Sequence, residues 1–548
     1  MSASTTPTAA AAEGNAKTHR QTLEALSGLL LVLFVAMLSS TVVSTALPKI
    51  IGALNGSQTQ YTWVVTATLL TATATTPIWG KLADLFNKKL LIQISIVIFV
   101  VGSMVAGFSQ SAGALIAARA FQGIGVGGLQ ALVQVAIAAM IPPRERGRYN
   151  GYLGGVMALA TVGGPLLGGL IVDTGWLGWR WCFFVGVPFA VIALALLQFT
   201  LHLPTLRREN VKIDYLGATL IAAGVSVLLI WISFVDDSFA WLSWQTYAMV
   251  GGSLVLLALA VLVESKAAEP IVPLPIIRER NTALAILASL AVGMAMFGGA
   301  VFLGQYFQIG RGYSPTEAGL LTIPMMAGVL LTSIISGRLI TKTGRIKPYI
   351  IAGAVVLVAG FAVLSIIDHR TALWFVGLGM FGVGAGVGMA MQNLVLAVQN
   401  SVALKDIGAA SSTVAFFRSL GGTIGVSVLG AVLARRVTDQ ITHDLAAAGI
   451  PASGSGGGTL NLSALPEPIV HIIRAAYGDA TGHIFLISAI IGVVGILAAL
   501  AMRPVLLRDS LDLPAEAKAA AVAADAIDGA PPVDQIGVAR DEDPAPRR

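Results

Sequence analysis

The chain contains repeated, uninterrupted apolar stretches of the length that a helix needs to cross a bilayer, about 20 residues. Residues Ala25 to Pro48 form the first. In lipid, only helices and closed barrels satisfy every backbone hydrogen bond. Barrel strands would read as shorter segments of alternating hydrophobicity. The continuous runs therefore predict an all-α integral membrane protein.

The composition agrees with a membrane protein and excludes several other classes. Only 11% of the 548 residues are charged and the mean hydropathy is +0.82, whereas soluble proteins carry about 25% charged residues. The single cysteine, Cys182, cannot build a disulfide framework, and the histidines lack metal-ligand spacing. No basic block with interleaved aromatics appears, so we expect no metal site and no nucleic-acid partner.

Fourteen apolar stretches are long enough to be read as transmembrane helices, and the charges between them indicate their orientation. With the N-terminus inside, Lys and Arg are about threefold more frequent in inner loops than in outer loops, which predicts cytoplasmic N- and C-termini. The predicted spans are residues 25–48, 61–79, 91–108, 113–134, 151–172, 182–200, 217–235, 246–263, 283–305, 319–337, 349–367, 373–395, 409–433 and 482–502.

Three segments fall outside these spans. Residues 1–24 are predicted to be a disordered cytosolic leader, and the Ala-, Pro- and Asp-rich residues 509–548 a disordered cytosolic tail. Residues 436–481 are predicted to form a long outer loop that includes a short surface helix at 467–477.

The loop after the second span combines glycine, aspartate and lysines. It contains Gly80, Asp84, Lys88 and Lys89. The lysines suit an inner loop, and we expect Asp84 in the first turn of the next helix, where the helix dipole favours an acid. A similar loop, residues 337–345, follows the tenth span, so the sequence predicts an internal repeat.

The fourth span places an arginine inside the membrane, where it is costly. At helical spacing, Arg119, Gln122, Gln130 and Gln134 share one face. We predict that this polar face lines the bundle interior or a water-filled path. The alternative is that Arg119 extends towards the membrane surface.

The fifth span is rich in glycine and contains a proline. Gly164, Pro165, Gly168 and Gly169 lie together. The small-xxx-small pair Gly164 and Gly168 predicts close helix packing, and Pro165 removes a backbone hydrogen bond and can bend the helix.

These motifs, taken in order, resemble those of the major facilitator superfamily, in its fourteen-span drug:proton antiporter branch. The resemblance covers about residues 25–505. It is carried by Gly80–Lys89, Arg119–Gly123, Gly164–Gly169, Trp179–Phe184, Gly312–Pro315 and Phe416–Gly422.

The resemblance implies two six-helix bundles that alternate access to a central site, driven by proton entry. The bundles would be residues 25–200 and 283–508, with two additional transmembrane helices and their cytosolic linkers in residues 201–282. It implies an inner-loop gating motif at Gly80–Lys89, an exporter motif at Gly164–Gly169, no cofactor besides a proton gradient, and a monomer in the plasma membrane.

The chain departs from the branch at Ser39, where the branch usually has an aspartate. No carboxylate lies near the middle of a predicted span, and proton coupling commonly uses such a group. Coupling could use Asp236 or Asp237 at a helix end, or Asp84 with Arg119, or it could be weak or absent. The candidate substrate-pocket residues are Ser39, Thr41, Gln130, Gln134, Gln305, Gln308, Gln392, Asn393 and Arg418.

We therefore predict an exporter of hydrophobic small molecules such as drugs, antibiotics or secondary metabolites, without enzymatic activity. A pocket of this composition suits neutral, zwitterionic or anionic substrates. The alternatives are a lipid or metabolite exporter of narrow specificity and an integral membrane lipid-modifying enzyme, which would need paired carboxylates or metal ligands at one membrane face. No Walker A loop is present, which argues against ATP-driven transport.

Overall fold

The computed structural model describes most of the chain. The described residues are 9–55, 58–174, 177–201, 214–235, 239–267, 270–272, 274–447, 466–504 and 506–508. Within them the regular structure is helical, and the only β-type pairings are two isolated bridges.

Seven helices precede the first break longer than a few residues. They are α1 Ala9–Ala53, α2 Gln58–Leu85, α3 Lys88–Gly107, α4 Ala112–Met140, α5 Pro143–Asp173, α6 Trp181–Phe184 and α7 Gly186–Thr200. Polar side chains fix several helix starts. Asn87 accepts hydrogen bonds from the first turn of α3, and Ser111 does so for α4, so both helices have N-caps.

Ten further helices follow, and a short π-helix continues one of them. They are α8 Tyr215–Phe234, α9 Trp244–Glu264, α10 Leu274–Arg278, α11 Arg280–Gln305 with the π-helix Tyr306–Gly310, α12 Pro315–Leu321, α13 Ile323–Thr343, α14 Lys347–Leu364, α15 Leu373–Ser401, α16 Ile407–Ala447 and α17 Glu467–Ala501. Ser314 and Glu317 form a reciprocal capping box at the start of α12.

The number of membrane-crossing helices fits the predicted fourteen. Over the described residues, 11 helical segments are long and apolar enough to cross a membrane, α6 with α7 and α12 with α13 each counting as one. The helices α2, α5 and α11, with 28, 31 and 26 residues, are also long enough. The all-α membrane fold predicted from the sequence is confirmed.

Two predicted boundaries differ from the structure. Helix α1 begins at Ala9, so residues 9–24 of the predicted disordered leader are helical; this segment is rich in alanine, which favours helix. At the predicted outer loop 436–481, α16 continues to Ala447 and α17 begins at Glu467, so both ends of the predicted loop are helical, and residues 448–465 lie outside the described residues. The predicted short surface helix is the start of α17.

The internal repeat predicted from the two similar loops is visible in how the helices pack. In the first half, α1 packs on α5, and α2 and α3 pack on α4; in the second half, α11 packs on α16, and α13 and α14 pack on α15. The halves meet where α5 crosses α13 and where α2 crosses α16. Helix α2 of the first half is equivalent to α13 of the second, and α5 is equivalent to α16. A pseudo-twofold axis therefore relates the α2–α16 interface to the α5–α13 interface.

The two additional helices, α8 and α9, pack together against the outside of the α2–α16 interface. The hydroxyl of Ser253 on α9 donates a hydrogen bond of 2.8 Å to the carbonyl of Gly224 on α8. Ile221 and Val225 on α8 join a buried apolar cluster with Phe416 of α16. Helix α8 therefore contacts both halves of the protein.

Candidate functional site

A cavity of about 90 Å³ lies between the two halves. It is lined by Ala36, Met37, Ser39, Ser40, Thr68, Leu69, Ala72, Thr73, Arg119, Gln122, Val126, Gln130, Met391, Arg418 and Ser419. Three of the predicted pocket residues, Ser39, Gln130 and Arg418, are among them. The lining is apolar with hydroxyls, two amides and two guanidinium groups, and it contains no carboxylate.

Arg119 faces the interior rather than the membrane surface, and a polar network holds it. Its side chain is buried, and its guanidinium donates to the Gln122 amide oxygen at 2.5 Å and to the Val64 carbonyl at 3.4 Å. The Gln122 amide nitrogen in turn donates to the hydroxyls of Ser103, at 2.7 Å, and Ser39, at 3.5 Å. Ser39 therefore ends a chain of hydrogen bonds that starts at the Arg119 guanidinium and contains no carboxylate.

Gly123, the third residue of the fourth-helix motif, sets the distance between α2 and α4. A Cβ added there would lie 2.5 Å from the Thr68 carbonyl and would also overlap the Thr71 hydroxyl. The Thr68 hydroxyl donates to the carbonyl of Arg119 at 3.1 Å. The close helix contact thus positions the arginine.

Arg418 enters the same cavity from the second half. It lies on α16, is buried, and its Nη1 has no hydrogen-bond partner among the described residues. Its backbone packs tightly on α11, because a Cβ added to Gly293 would overlap the Arg418 carbonyl. The backbone of Arg418 is therefore held in place, while the Nη1 of its guanidinium has no hydrogen-bond acceptor in the described part of the chain.

The other predicted pocket residues lie outside this lining. Gln134 donates to Gln392 at 3.0 Å, a hydrogen bond between the two halves, and the Asn393 amide donates to its own helix at Met389. Gln305 and Gln308 lie at the junction of α11 with the π-helix and in that π-helix. The sequence identified polar positions in spans but not which of them face the central cavity.

Asp84 joins the two halves at one end of the bundle, which we call the Asp84 end. Its carboxylate accepts hydrogen bonds from the backbone N–H groups of Gly408, at 2.7 Å, and Ala409, at 2.8 Å. Both lie in the first turn of α16. The expectation that Asp84 begins the following helix was wrong: it lies in the last turn of α2 and caps α16, a helix of the other half.

Two glycine pairs allow the helices to touch at the Asp84 end. A Cβ added to Gly80 on α2 would lie 2.6 Å from the Gly408 carbonyl on α16. At the equivalent crossing, a Cβ added to Gly147 on α5 would lie 2.5 Å from the Gly337 carbonyl on α13. Each pair joins the two halves, so the bundle is closed at this end.

Arg146 and Gln399 reinforce this closure. Arg146 is buried; its guanidinium donates to the carbonyls of Ile141 and Ala138, both at 2.6 Å, and to the Gln399 amide oxygen at 2.8 Å. Gln399 is on α15 of the other half and donates to Ser411 at 2.8 Å. Sequence reasoning could not find this contact, because Gln399 is 253 residues away from Arg146 along the chain.

The predicted lysines of the inner loop have different surroundings. Lys88 is buried, whereas the ammonium group of Lys89 donates to the carbonyl of Gln198 at the end of α7, at 2.6 Å. The cap of α3 is supplied by Asn87 between Asp84 and these lysines.

The fifth-helix glycines form the contact between α5 and α1. A Cβ at Gly164 would overlap the Thr41 side chain, and one at Gly168 would lie 2.8 Å from the Val42 carbonyl. The Thr41 hydroxyl donates to the Ala160 carbonyl on α5 at 3.1 Å. Helix α5 is continuous past Pro165 and Gly169, and the Pro165 side chain lies outside the described side chains.

A second buried carboxylate, to which the sequence analysis gave no role, lies at the end of α9. Glu264 accepts hydrogen bonds from the N–H groups of Ile271, at 3.0 Å, and Val272, at 2.8 Å. The Asp214 carboxylate is close by, since both acids lie within 3 Å of a Cβ built at Gly217. The proposed coupling residues Asp236 and Asp237 are outside the described residues.

These features define a helical membrane transporter built from two pseudo-symmetric halves around a central cavity. Residues 29–426 match the Major Facilitator Superfamily. The chain belongs to this family, and it is a transporter rather than an enzyme. The resemblance seen in the sequence motifs is confirmed.

Curated relatives cover most of the chain. It is 34% identical over 509 residues to an uncharacterized MFS-type transporter of Mycobacterium tuberculosis, covering 93% of this chain and 73% of the relative. It is 35% identical to the multidrug transporter protein MdtP of Bacillus subtilis, covering 77% of each chain. It is 32% identical to the efflux pump dotC of Dothistroma septosporum, covering 86% and 82%.

Solved structures of low sequence identity share the fold. The human organic anion transporter MFSD10 matches with a TM-score of 0.57 at 14% identity, covering 86% of this chain and 99% of that chain. The proton:xylose symporter XylE matches with a TM-score of 0.55 at 15% identity, covering 88% and 95%. At these identities the likeness concerns the fold alone.

Proposed function

We propose that the protein exports hydrophobic small molecules, such as drugs, antibiotics or secondary metabolites, by alternating access coupled to proton entry. It acts as a monomer in the plasma membrane, with cytoplasmic termini and no cofactor. The relatives named as a multidrug transporter and an efflux pump support export. The positive charge bias of the loops supports the orientation, with the Asp84 end in the cytoplasm.

The central cavity between two halves that are closed at the Asp84 end is the observation that carries this proposal. At about 90 Å³ the cavity is smaller than sites for drug-sized ligands, which span about 300–1,000 Å³. A substrate therefore requires the halves to separate. Opening at the Asp84 end would break the Asp84, Arg146 and glycine contacts, and their re-formation after release would close it again.

Gradient-driven export tests the proposal. In efflux-deficient bacterial cells loaded with the anionic dye carboxyfluorescein or the neutral dye N-phenyl-1-naphthylamine, we expect expression of the protein to accelerate loss of at least one dye several-fold. Collapse of the proton gradient by an uncoupler should return the rate to that of cells without the protein. Export that is unaffected by the uncoupler would contradict proton coupling, and no export of either dye would contradict the exporter.

Asp236 and Asp237 are our proposed coupling residues, because the cavity lining contains no carboxylate. We expect the double substitution Asp236→Asn and Asp237→Asn to abolish acceleration of export by a pH gradient in proteoliposomes while dye exchange without a gradient continues. Asp439→Asn, a solvent-exposed acid on α16, is the matched control. If a pH gradient still accelerates export by the double variant, Asp236 and Asp237 do not couple export to protons. Asp84 would then be the next acid to test.

A further inference from the structure

The central cavity has an excess of positive charge. Arg119 enters it from the first half and Arg418 from the second, and its lining has no carboxylate. The Ser39 hydroxyl accepts a hydrogen bond from the neutral amide of Gln122 there. Two guanidinium groups that face one small, poorly solvated space repel each other, and removing a charge from water is costly unless a counter-charge is present.

Arg418 has the features of a ligand-binding arginine rather than of a structural one. The structure contains a comparison in Arg146, which is also buried but donates to three acceptors, two carbonyls and the Gln399 amide. The Nη1 of Arg418 has no acceptor among the described residues. A buried donor without a partner is unfavourable, and buried polar groups are otherwise almost always satisfied.

The missing acceptor fits an anion in the cavity. Arg119 already donates to Gln122 and Val64, whereas Nη1 of Arg418 has no acceptor among the described residues. Carboxylates and sulfonates bind a guanidinium through short, charge-assisted hydrogen bonds. The rest of the lining, including Met37, Leu69 and Val126, is apolar and suits a hydrophobic body attached to such a group.

We propose that the central cavity selects amphipathic organic anions, with the carboxylate or sulfonate of the substrate bound by Arg418 and the field of Arg119 adding to the attraction. This inference rests on the proposed export function, because it names the substrate class of the same site. It also gives the serine at position 39 a role: an aspartate there would cancel one of the two positive charges of the cavity and compete with the substrate for the arginines.

Anionic substrates change the energetic requirement for export. A cytoplasm that is electrically negative favours the exit of an anion, since the membrane potential acts on its charge. An exporter of anions therefore depends less on proton entry than an exporter of cations does. A carboxylate in the cavity lining would repel an anionic substrate, so the lack of one among the described lining residues fits this substrate preference.

Three probes that share the same naphthyl group and differ in charge test this inference. They are 1-naphthaleneacetate, 1-naphthaleneacetamide and protonated 1-naphthylmethylamine, which are anionic, neutral and cationic at pH 7. We expect equilibrium binding to the full-length protein in nanodiscs to be at least tenfold tighter for the acetate than for the amide. Arg418→Gln should remove this difference, and Arg418→Lys, which keeps the charge, should retain part of it.

Ser39→Asp should lower affinity for the acetate at least tenfold and raise affinity for the amine. Arg436→Gln, on an exposed arginine of the same helix, is the control and should match the wild type. Equal binding of acetate and amide by the wild type, no binding of the acetate, or a preference that survives in a folded Arg418→Gln protein would overturn the proposal.

The two proposals fail separately. Dye export that persists without an anion preference would remove only the substrate class, whereas anion binding by a protein that exports no probe would remove only the export function. Size-exclusion profiles in detergent identify variants that fail to fold. The Ser39→Asp result then remains decisive, because it tests the charge of the cavity without removing an arginine.

Discussion

Replacing Asp84 with alanine should reduce export at least tenfold. The variant leaves the N–H groups of Gly408 and Ala409 without their acceptors whenever the halves close, and each buried unsatisfied group costs about 1–3 kcal/mol. A loss of roughly 2–6 kcal/mol from the closed state shifts the balance between closed and open forms by about 30-fold or more. Asp84→Asn keeps one acceptor oxygen and should be affected less.

Pulsed spin-label distances measure this shift directly. Labels at Phe86→Cys and Lys405→Cys, in a background where the buried Cys182 is replaced by alanine, report the separation of α2 and α16 at the Asp84 end. We expect longer distances to dominate in Asp84→Ala. Asp439→Ala, at the far end of α16, is the control. A variant at Asp84 with wild-type distances and export would show that the cap does not hold the closed state.

Replacing Gly164 with valine should destabilise the protein and stop export. A Cβ at this position overlaps the Thr41 side chain and lies 3.1 Å from the Thr41 backbone carbon, so α1 and α5 must move apart. Overpacking of this kind costs about 1–3 kcal/mol. Helix α1 also carries Ser39, so the separation displaces one wall of the cavity. We expect a lower thermal unfolding midpoint in detergent and export below a tenth of the wild-type rate.

The neighbouring glycine provides a close control. A Cβ at Gly163 would make only an ordinary contact, 3.8 Å from a methyl of Leu38, so Gly163→Ala should change neither the midpoint nor export by much. Equal behaviour of the two variants would show that the fifth-helix glycines act through something other than contact with α1. Gly164→Ala should be intermediate, because it adds one carbon to the same contact.

The sequence predicted the positions of the spans better than it predicted the site. Long apolar runs and loop charges report directly on the bilayer, which acts on each helix separately. The repeat also appears in the sequence, because the loops after α2 and α13 follow equivalent helices. The sequence could not show that Gln305 and Gln308 lie outside the cavity lining. Whether a polar side chain faces the cavity depends on how the neighbouring helices pack, not on the composition of its own span.

The pairing of distant residues lay beyond the sequence. Asp84 is 324 residues from Gly408 and Arg146 is 253 residues from Gln399. A loop motif alone indicated a local role for Asp84, at the start of the next helix. Only the packing of the two halves shows that this acid caps a helix on the other side of the interface.

The sequence by itself determined that the chain crosses a membrane many times, that it repeats internally, and that its first helix has a serine where an acid is usual. Each depends on hydrophobicity or residue identity along the chain, which local sequence records. The tertiary structure decided which polar groups meet. It brought Ser39, Arg119 and Arg418 to one cavity and left Nη1 of Arg418 without an acceptor, because helix packing, not sequence order, sets the distances between buried charges.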